Sequence, residues 1–547
     1  MAKTTEGAKI TLNKMMHKID SNIYGHFIEE VGECIHDGIW VDSSPLKTLP
    51  MSNDPCLPNV REDLLQASKA LFGQKDKNAQ TVLRWPGGCY SDTYHWQDGL
   101  GHRDVRPVIK NPHWGHGPFR FVKNEHGALG PDINHQFGTD EFMAFSQQIE
   151  ANTYINVNYG SGTPQEAAQW VEYCNGAADS EWGAKRALHH PKPYRVKYWG
   201  IANEIWAVWE NGNERWANNY AEKYLQFAKA MKQKDASIKL IACGLDPLCT
   251  NKVIFPWDAN QWNEKLLSVI GDSVDYLSIH IYYPTTIAPT FVFSGSDQHV
   301  RNQKAFGAIM AAHLNLEDLI DRVWKNIVNV LGQDTQVRIA LDEWNVWYYL
   351  KQAIKANWAL MDGLFVATIL QTLQKHADKV SMANFALLVN VVGLIRTDQQ
   401  GIVKTPSYLA FQMIRQHSYS NYLSLDLECM TYENARLNVI QSKDAPYLNV
   451  GATTSDDQSH LCLSVVNKHF SDAISASIDL SNQHGRSYQL DEVMTLSHDD
   501  PFAMNTPEHR DHVGITSRKA TPDNNEMHVF PAHSLTILTY KSTIRLD

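Results

Sequence analysis

The chain has 547 residues, 43% of them hydrophobic and 20% charged, the composition of a globular protein with a sizeable core. Its net charge of -11 argues against nucleic acid and anionic membrane surfaces as partners, since both select basic proteins. No uncharged apolar run approaches the length of a membrane span, and residues 1–20 lack the apolar stretch of a secretory signal.

Along the chain, residues 8–12 alternate like a short strand. Apolar, strand-like runs then follow at 23–27, 81–84, 153–158, 197–202, 239–243, 276–280, 338–342 and 380–388. Helical periodicity falls between them, at 60–72, 140–150, 164–174, 215–233, 323–331, 357–375 and 406–416. Thr163-Pro164 offers an N-cap with proline in the first turn, and Asp140-Glu141 puts acids in another first turn. Strand–helix alternation implies parallel strands, and eight such units predict an α/β fold, a (β/α)8 TIM barrel over 19–420. An open doubly wound sheet would usually bring a nucleotide fingerprint, and neither G-x-G-x-x-G nor a P-loop is present. The non-helical stretches 34–59 and 101–136 follow the first two strands and are expected as loops over the active face. After about residue 420 the texture changes to short, partly alternating runs at 461–467, 473–480, 488–496 and 535–540, with turn-rich stretches at 499–507 and 521–526. That predicts a C-terminal antiparallel β-sandwich domain over 421–547, completed by a strand from 1–18.

Eight cysteines (Cys34, Cys56, Cys89, Cys174, Cys243, Cys249, Cys429 and Cys462) are scattered without a C-x-x-C pair. They read as free thiols of a reducing compartment, so a cytoplasmic location is expected. His95, His102, His113 and His116 lack zinc-ligand spacing and read as loop histidines; no metal or cofactor is expected. Cys89 has no motif of a nucleophilic cysteine around it, and there is no G-x-S-x-G elbow.

Two glutamates stand at the ends of apolar runs: Glu204 in Lys197-Tyr198-Trp199-Gly200-Ile201-Ala202-Asn203-Glu204, and Glu343 in Arg338-Ile339-Ala340-Leu341-Asp342-Glu343-Trp344-Asn345. Catalytic groups of a (β/α)8 barrel sit at the C-terminal ends of different strands. Two carboxyl groups facing one another there are the minimum needed to cleave a glycosidic bond. Either glutamate alone could equally pair with an arginine or cap a helix; the two together favour glycoside hydrolysis.

Further segments carry a resemblance. They are Ile23-Tyr24-Gly25-His26-Phe27-Ile28-Glu29, Leu83-Arg84-Trp85-Pro86-Gly87-Gly88-Cys89, Ser91-Asp92-Thr93-Tyr94-His95-Trp96, the segment 162–175, and Asp275-Tyr276-Leu277-Ser278-Ile279-His280-Ile281-Tyr282-Tyr283. In this order, from about residue 20 to Asn390, the chain resembles glycoside hydrolase family 51, the α-L-arabinofuranosidases. The resemblance implies a retaining, exo-acting enzyme with Glu204 as acid/base and Glu343 as nucleophile. It further implies that Asn203 holds the sugar 2-hydroxyl, Glu29 binds the furanose, Tyr282 hydrogen-bonds the nucleophile, Arg84 sits beneath it and Trp96 lines the glycone pocket. His280 is expected as a hydrogen-bonding wall of the site, and a homo-oligomer, hexameric in many members, is implied by the resemblance alone. The expected partner is an arabinofuranosyl-bearing oligosaccharide.

Two positions depart from the family pattern. Cys89 follows the Gly-Gly pair where many members have asparagine, and Leu387 stands where many have glutamine. Each change removes an amide that could bind a sugar hydroxyl, worth about 0.5–1.5 kcal/mol net. Trp206 and Trp209, just after Glu204, fit an aglycone platform or packing between loops equally well. Two other readings stay open: another retaining specificity on the same site (β-D-galactofuranosidase, β-xylosidase or endo-glucanase), and a catalytically silent sugar-binding protein.

Overall fold

Eight apolar runs become the parallel strands of a closed barrel in the computed structural model. With the N-terminal strand β1 (Thr4–Lys18) counted first, they are β2 (Gly25–Phe27), β3 (Val82–Trp85), β4 (Asn152–Val157), β5 (Tyr198–Ile201), β6 (Lys239–Cys243), β7 (Tyr276–Pro284), β8 (Arg338–Trp347) and β9 (Val380–Ala386). The barrel closes where β9 pairs with β2. The structure describes residues 4–41, 48–50, 59–73, 80–111, 123–124, 127–128, 132–249, 254–284, 298–347, 358–434, 442–481, 486–520 and 527–543. His113, His116, Cys56 and the expected turn at 521–526 lie outside them.

Inward side chains of six strands fill the base of the barrel with one layer, Val82, Tyr154, Tyr198, Ile241, Ala340 and Met382, all buried. Such a layer makes the barrel a packed core, so chemistry is confined to the end above it. Two strand boundaries differ from expectation in ways that matter. Ile23 and Tyr24 belong to a 3-10 turn, Ser21–Tyr24, which Asp20 caps by accepting the Asn22 N–H. β7 and β8 run well past 280 and 342, pairing with each other as far as Pro284 and Trp347. They carry the aromatic and carboxylate side chains beyond the barrel rim.

The helical ring follows the expected pattern, with Thr163 capping Pro164–Asn175 by accepting the Glu166 N–H and Pro164 in its first turn. The helix expected at 323–331 starts earlier and spans Ala312–Leu331. Trp262–Ile270 and Gln298–Met310 are helices that periodicity did not single out. Among the described residues no helix is long and apolar enough to cross a membrane, and none of the seven described cysteines forms a disulfide.

Among the described strands after the barrel, eight belong to one large sheet: β10 (Asn421–Glu428), β11 (Leu448–Thr454), β12 (His460–Asn467), β13 (Ala473–Asp479), β14 (Ser487–Ser497), β15 (Gly514–Lys519), β16 (Met527–Phe530) and β17 (Ser534–Thr543). With β1 they form a nine-stranded sheet in the order β15-β14-β17-β12-β11-β10-β1-β13-β16, antiparallel except where β1 meets β13. Only Asn421–Thr454 and Tyr422–Thr453 join β10 to β11. There the sheet divides into two layers around one core. Ile10, Leu12, Leu423, Ile474 and Phe530 face Leu448, Leu461, Leu463, Val465 and Leu538 across it. The helix Leu360–Lys375 is buried along its length and ties the two units together: the Gln371 amide donates to the Ser464 carbonyl at 2.9 Å, and Asn449 donates to Gln371 at 2.6 Å.

Candidate active site

Arg84, on β3 and 1% exposed, is the hub above the barrel layer. Its Nη1 donates to Glu343 Oε1 at 2.8 Å and its Nη2 to Asn203 Oδ1 at 2.7 Å. One guanidinium thus fixes Asn203, just past the end of β5, and Glu343, within β8, with the fork geometry that suits arginine to the task. Tyr282, on β7, donates its hydroxyl to the other Glu343 oxygen at 2.6 Å. His280, two positions earlier and so on the same strand face, brings Nδ1 to 3.0 Å from Glu204 Oε1 and 3.5 Å from Glu343 Oε2. Its Nε2 lies 3.3 Å from Asp342 Oδ1. Trp209 Nε1 donates to the second Glu204 oxygen at 3.2 Å. Glu29, just beyond β2, accepts the Tyr90 N–H at 2.9 Å.

A local irregularity brings Asp342 and Glu343 to bear on the same neighbours. In a regular strand adjacent side chains point to opposite faces. Here the register of β8 slips against both neighbours at this point, between Ser278 and His280 on one side and between Leu341 and Trp344 on the other. One extra residue in a strand re-aims its side chains, which is what bulges near active sites do. Asp342 accordingly turns inward beside Glu343, accepting from Tyr154 at 2.8 Å and from Ser278 at 2.5 Å.

The charges interlock. Burial opposes an ionised Asp342, but the Arg84 charge and the bond from His280 outweigh it and hold the carboxyl at about 2. Burial likewise opposes a protonated His280, and the Glu343 charge with hydrogen bonds to Asp342 and Glu204 raises it to about 10. The imidazole at neutral pH is therefore a cation held among the carboxyl groups of Asp342, Glu204 and Glu343. Burial pushes the Cys89 thiol far up, helped by the nearby Glu210, Glu29 and Glu204 charges, so Cys89 is no thiolate nucleophile.

Gly87 and Gly88 let the backbone pass directly under these groups. A Cβ at Gly88 would stand 2.7 Å from Glu343 Oε1, and at Gly87, where φ is +133°, 2.4 Å from the Glu29 side chain.

Of the residues expected from sequence, Glu29, Arg84, Cys89, Asn203, Glu204, His280, Tyr282 and Glu343 meet in this one network. Trp96 does not join it, which corrects the expectation that it lines the sugar pocket. The short turn Trp96–Gly99 rotates the indole outward, where it is 1% exposed, stacks on Trp170 at 5.8 Å and donates to the Glu166 carbonyl. Leu387 is buried at the end of β9, its carbonyl accepting the Leu394 N–H. Trp206 is 7% exposed, bonded to the Gly244 carbonyl and packed on Phe255, so it seals one loop against another while Trp209 reaches Glu204.

Three carboxylates of the site were not singled out from sequence. Asp342 was seen only as the neighbour of Glu343. Asp92 accepts the backbone N–H of Asn203 at 2.9 Å and of Tyr159 at 2.9 Å, fixing the segment that carries Asn203. Glu210 lies 4% exposed within the cluster, one of its oxygens, a Glu204 oxygen and Cys89 Sγ all falling within 4.8 Å of one another. A second trio, Glu204, His280 and Glu343, is equally close. Either could present ligands to a cation, but two facing carboxylates with a cation-bearing imidazole between them are also what acid/base and nucleophilic chemistry at a sugar acetal needs.

The comparisons with known proteins agree with this geometry. Residues 76–291 match the family described as "Alpha-L-arabinofuranosidase 1 domain" and residues 342–534 that described as "Alpha-L-arabinofuranosidase C-terminal domain". The chain is 32% identical to the "Probable alpha-L-arabinofuranosidase C" of Aspergillus clavatus, across 98% of both chains. It is 28% identical to the "Intracellular exo-alpha-L-arabinofuranosidase" of Bacteroides ovatus, across 90% of this chain and 87% of that one. The solved GH51 α-L-arabinofuranosidase of Thermotoga petrophila superposes with a TM-score of 0.79 at 33% identity, covering 97% of this chain and all of the other. With the barrel, the appended sheet and the two facing glutamates in place, the chain belongs to glycoside hydrolase family 51, the α-L-arabinofuranosidases, and is a glycoside hydrolase.

Proposed function

We propose that the protein is a retaining, exo-acting α-L-arabinofuranosidase that releases arabinose from the non-reducing ends of short arabinosides. The observation that carries the retaining mechanism is the spacing: an oxygen of Glu204 and one of Glu343 lie within 4.8 Å of each other. Retaining enzymes hold their carboxyl groups about 5–5.5 Å apart, whereas inverting ones need about 6.5–9.5 Å to admit a water. In this reading Glu343 attacks the anomeric carbon while Glu204 donates its proton to the departing oxygen. Arg84 and Tyr282, each hydrogen-bonded to a separate oxygen of Glu343, fix the direction of attack. Asn203, held by Arg84 at one end and by Asp92 through its backbone, is oriented to meet the sugar 2-hydroxyl. Glu29, held by the Tyr90 N–H, meets a ring hydroxyl. Water activated by Glu204 then frees the sugar from Glu343 with its configuration retained.

Exo action and an intracellular place of work are supported by the printed name of the Bacteroides ovatus relative. The division at residue 420 into a barrel and a sandwich completed by the first strand is supported by the sheet's own inner core, to which Ile10 and Leu12 of the first strand belong, and a homo-oligomer by family resemblance. The reaction is tested with 4-nitrophenyl α-L-arabinofuranoside beside the β-D-galactofuranoside and β-D-xyloside, with Glu343→Ala as control. Turnover of the arabinofuranoside, abolished by the substitution and yielding the α-anomer of arabinose first by NMR, is expected. First release of the β-anomer would refute retention, and preference for another glycoside would move the specificity to the wall made by Cys89 and Leu387.

A further inference from the structure

Indole is the largest apolar ring a chain has to hide, and tryptophan is highly buried on average. Trp216 and Trp257 are nevertheless 48% and 55% exposed, and no other Trp, Tyr or Phe among the described residues is as open to solvent. Their backbones adjoin: the Trp257 N–H donates to the Arg215 carbonyl at 3.1 Å. Asp258 accepts the Ala217 N–H at 3.4 Å and the Lys265 ammonium at 3.1 Å. Arg215 lies over the Trp257 ring at 5.6 Å and Lys265 over the Trp216 ring at 6.0 Å. The hydrogen bonds, and a cation beside each ring, hold the indoles in place without covering them.

The pair belongs to the active face. Trp216 precedes the helix Ala217–Lys234 that follows β5, and Trp257 precedes the helix Trp262–Ile270 that follows β6. In a (β/α)8 barrel the segments leading from strand to helix lie at the C-terminal end of the strands, where the chemistry is. The two rings also lie on the side of Glu204. The Glu214 N–H donates to the Ile205 carbonyl at 2.7 Å, which ties the segment before Trp216 to the one after Glu204. Trp209, bonded to Glu204, meets Trp206 at 6.3 Å, and Trp206 packs at 5.5 Å on Phe255, two residues before Trp257. An aromatic path thus runs from Glu204 outward to the open indoles. The acid/base stands beside the departing oxygen, so the aglycone extends on this side. Lys265 also lines an open polar cleft with Gln261, Glu264, Ser268 and Asn329, side chains able to pair with hydroxyls.

We propose that Trp216 and Trp257 form a carbohydrate-binding platform, remote from the cleaved bond, that stacks the sugar rings of a long aglycone chain. The inference rests on the arabinofuranosidase reading, with Glu204 as its acid/base. The C–H groups on one side of a sugar ring make an apolar face, and a rigid indole covers it at small entropic cost. The polar cleft beside Lys265 takes up the hydroxyls. A neutral chain fits better than an ionic one, because the cations Arg215 and Lys265 stand among the acids Glu214, Asp258 and Glu264. A second copy of the protein fits less well. Two half-open indoles offer roughly 250 Å², against about 800 Å² per partner in a stable interface.

The test compares 4-nitrophenyl α-L-arabinofuranoside, whose aglycone is too short to reach the rings, with two long substrates. One is linear arabino-octaose and the other a xylo-octaose chain carrying an arabinofuranosyl branch. Trp216→Ala combined with Trp257→Ala should raise KM about tenfold on at least one of the chains with kcat unchanged. On the nitrophenyl glycoside kcat/KM should stay within about twofold. The chain whose KM moves identifies the backbone that the platform takes. Trp216→Tyr with Trp257→Tyr keeps two flat rings and should restore most of the affinity. Each alanine substitution alone should raise KM about threefold, and the single variants replace the double one if it fails to fold. Unmoved KM on both chains, or equal losses on all three substrates, overturns the proposal while the arabinofuranosidase reading stands. A lower molar mass of the double variant in light scattering also overturns it, since the rings would then join copies of the chain. A parent protein that turns over none of the three substrates would sink that reading and the platform with it.

Discussion

Gly88→Ala puts one methyl group against the carboxylate that we assign as nucleophile. Its Cβ would stand 2.7 Å from Glu343 Oε1, where ordinary contact begins near 3.4 Å, so about 0.7 Å must be found. A flexible side chain would find it cheaply, but this oxygen is held by Arg84 at 2.8 Å and its twin by Tyr282 at 2.6 Å. Arg84 is itself fixed by Asn203 and by the Asp342 carbonyl. Displacement therefore comes out of the alignment of Glu343 with the anomeric carbon. A misplacement of about 1 Å costs about 100-fold, or about 2.7 kcal/mol of transition-state stabilisation. The global fold has less at stake, because Gly88 lies in a turn above the barrel layer. We expect kcat/KM on 4-nitrophenyl α-L-arabinofuranoside to fall about 100-fold while the melting temperature changes by no more than about 4 °C. Activity within threefold of the parent (about 0.6 kcal/mol) would refute the claim that this oxygen is rigidly held.

Tyr282→Phe removes a charge-assisted hydrogen bond to Glu343 and should lower kcat about 10- to 100-fold with little change in melting temperature; a loss confined to KM would deny the contact a role in the chemistry. Trp96→Ala should cost about 3–5 kcal/mol of stability and leave kcat/KM of the folded protein within about threefold. A large loss of activity at unchanged stability would return Trp96 to the sugar pocket. Asp342, depressed in the folded state to about 2, contributes roughly 2–3 kcal/mol that is present above its unfolded value near 4 and is lost as pH falls through about 2. The melting temperatures of the parent and Asp342→Asn should therefore differ at neutral pH and converge at the acid end; a constant gap would show that packing, and not charge, is what the substitution removes.

The strands that carry Glu204 and Glu343 were legible because an apolar run broken by a carboxylate is a strong signal in a fully buried parallel strand. Adjacent Asp342 was not legible as a site residue, since alternation assigns it to the opposite face and only the register slip of β8 turns it inward. Glu210 was hidden for a different reason. It follows Ile205-Trp206-Ala207-Val208-Trp209 in sequence, and its nearness to Glu204 exists only after two loop turns close. Trp96 was misassigned because its neighbours in sequence border the site, while its own ring is rotated onto the helix Pro164–Asn175. In the appended sheet, β12 and β17 were readable from their buried apolar residues. β15, Gly514–Lys519, is exposed at every position, so no alternation marks it as a strand.

The first strand has a consequence for how the protein is made. β1 is built before the barrel, yet its partners come after it: Asn13 meets Asp426 across 413 positions of chain. At about 5–20 residues per second a ribosome needs roughly 20–80 s to supply that partner. For that interval Ile10 and Leu12, which end fully buried, have no layer to cover them, while the barrel between can already assemble. An unpaired strand is an invitation to other chains, and the lysines at Lys9, Lys14 and Lys18 are the charges that discourage them. The second layer therefore closes as a late act of biosynthesis, stitching the earliest segment of the chain to one of its latest.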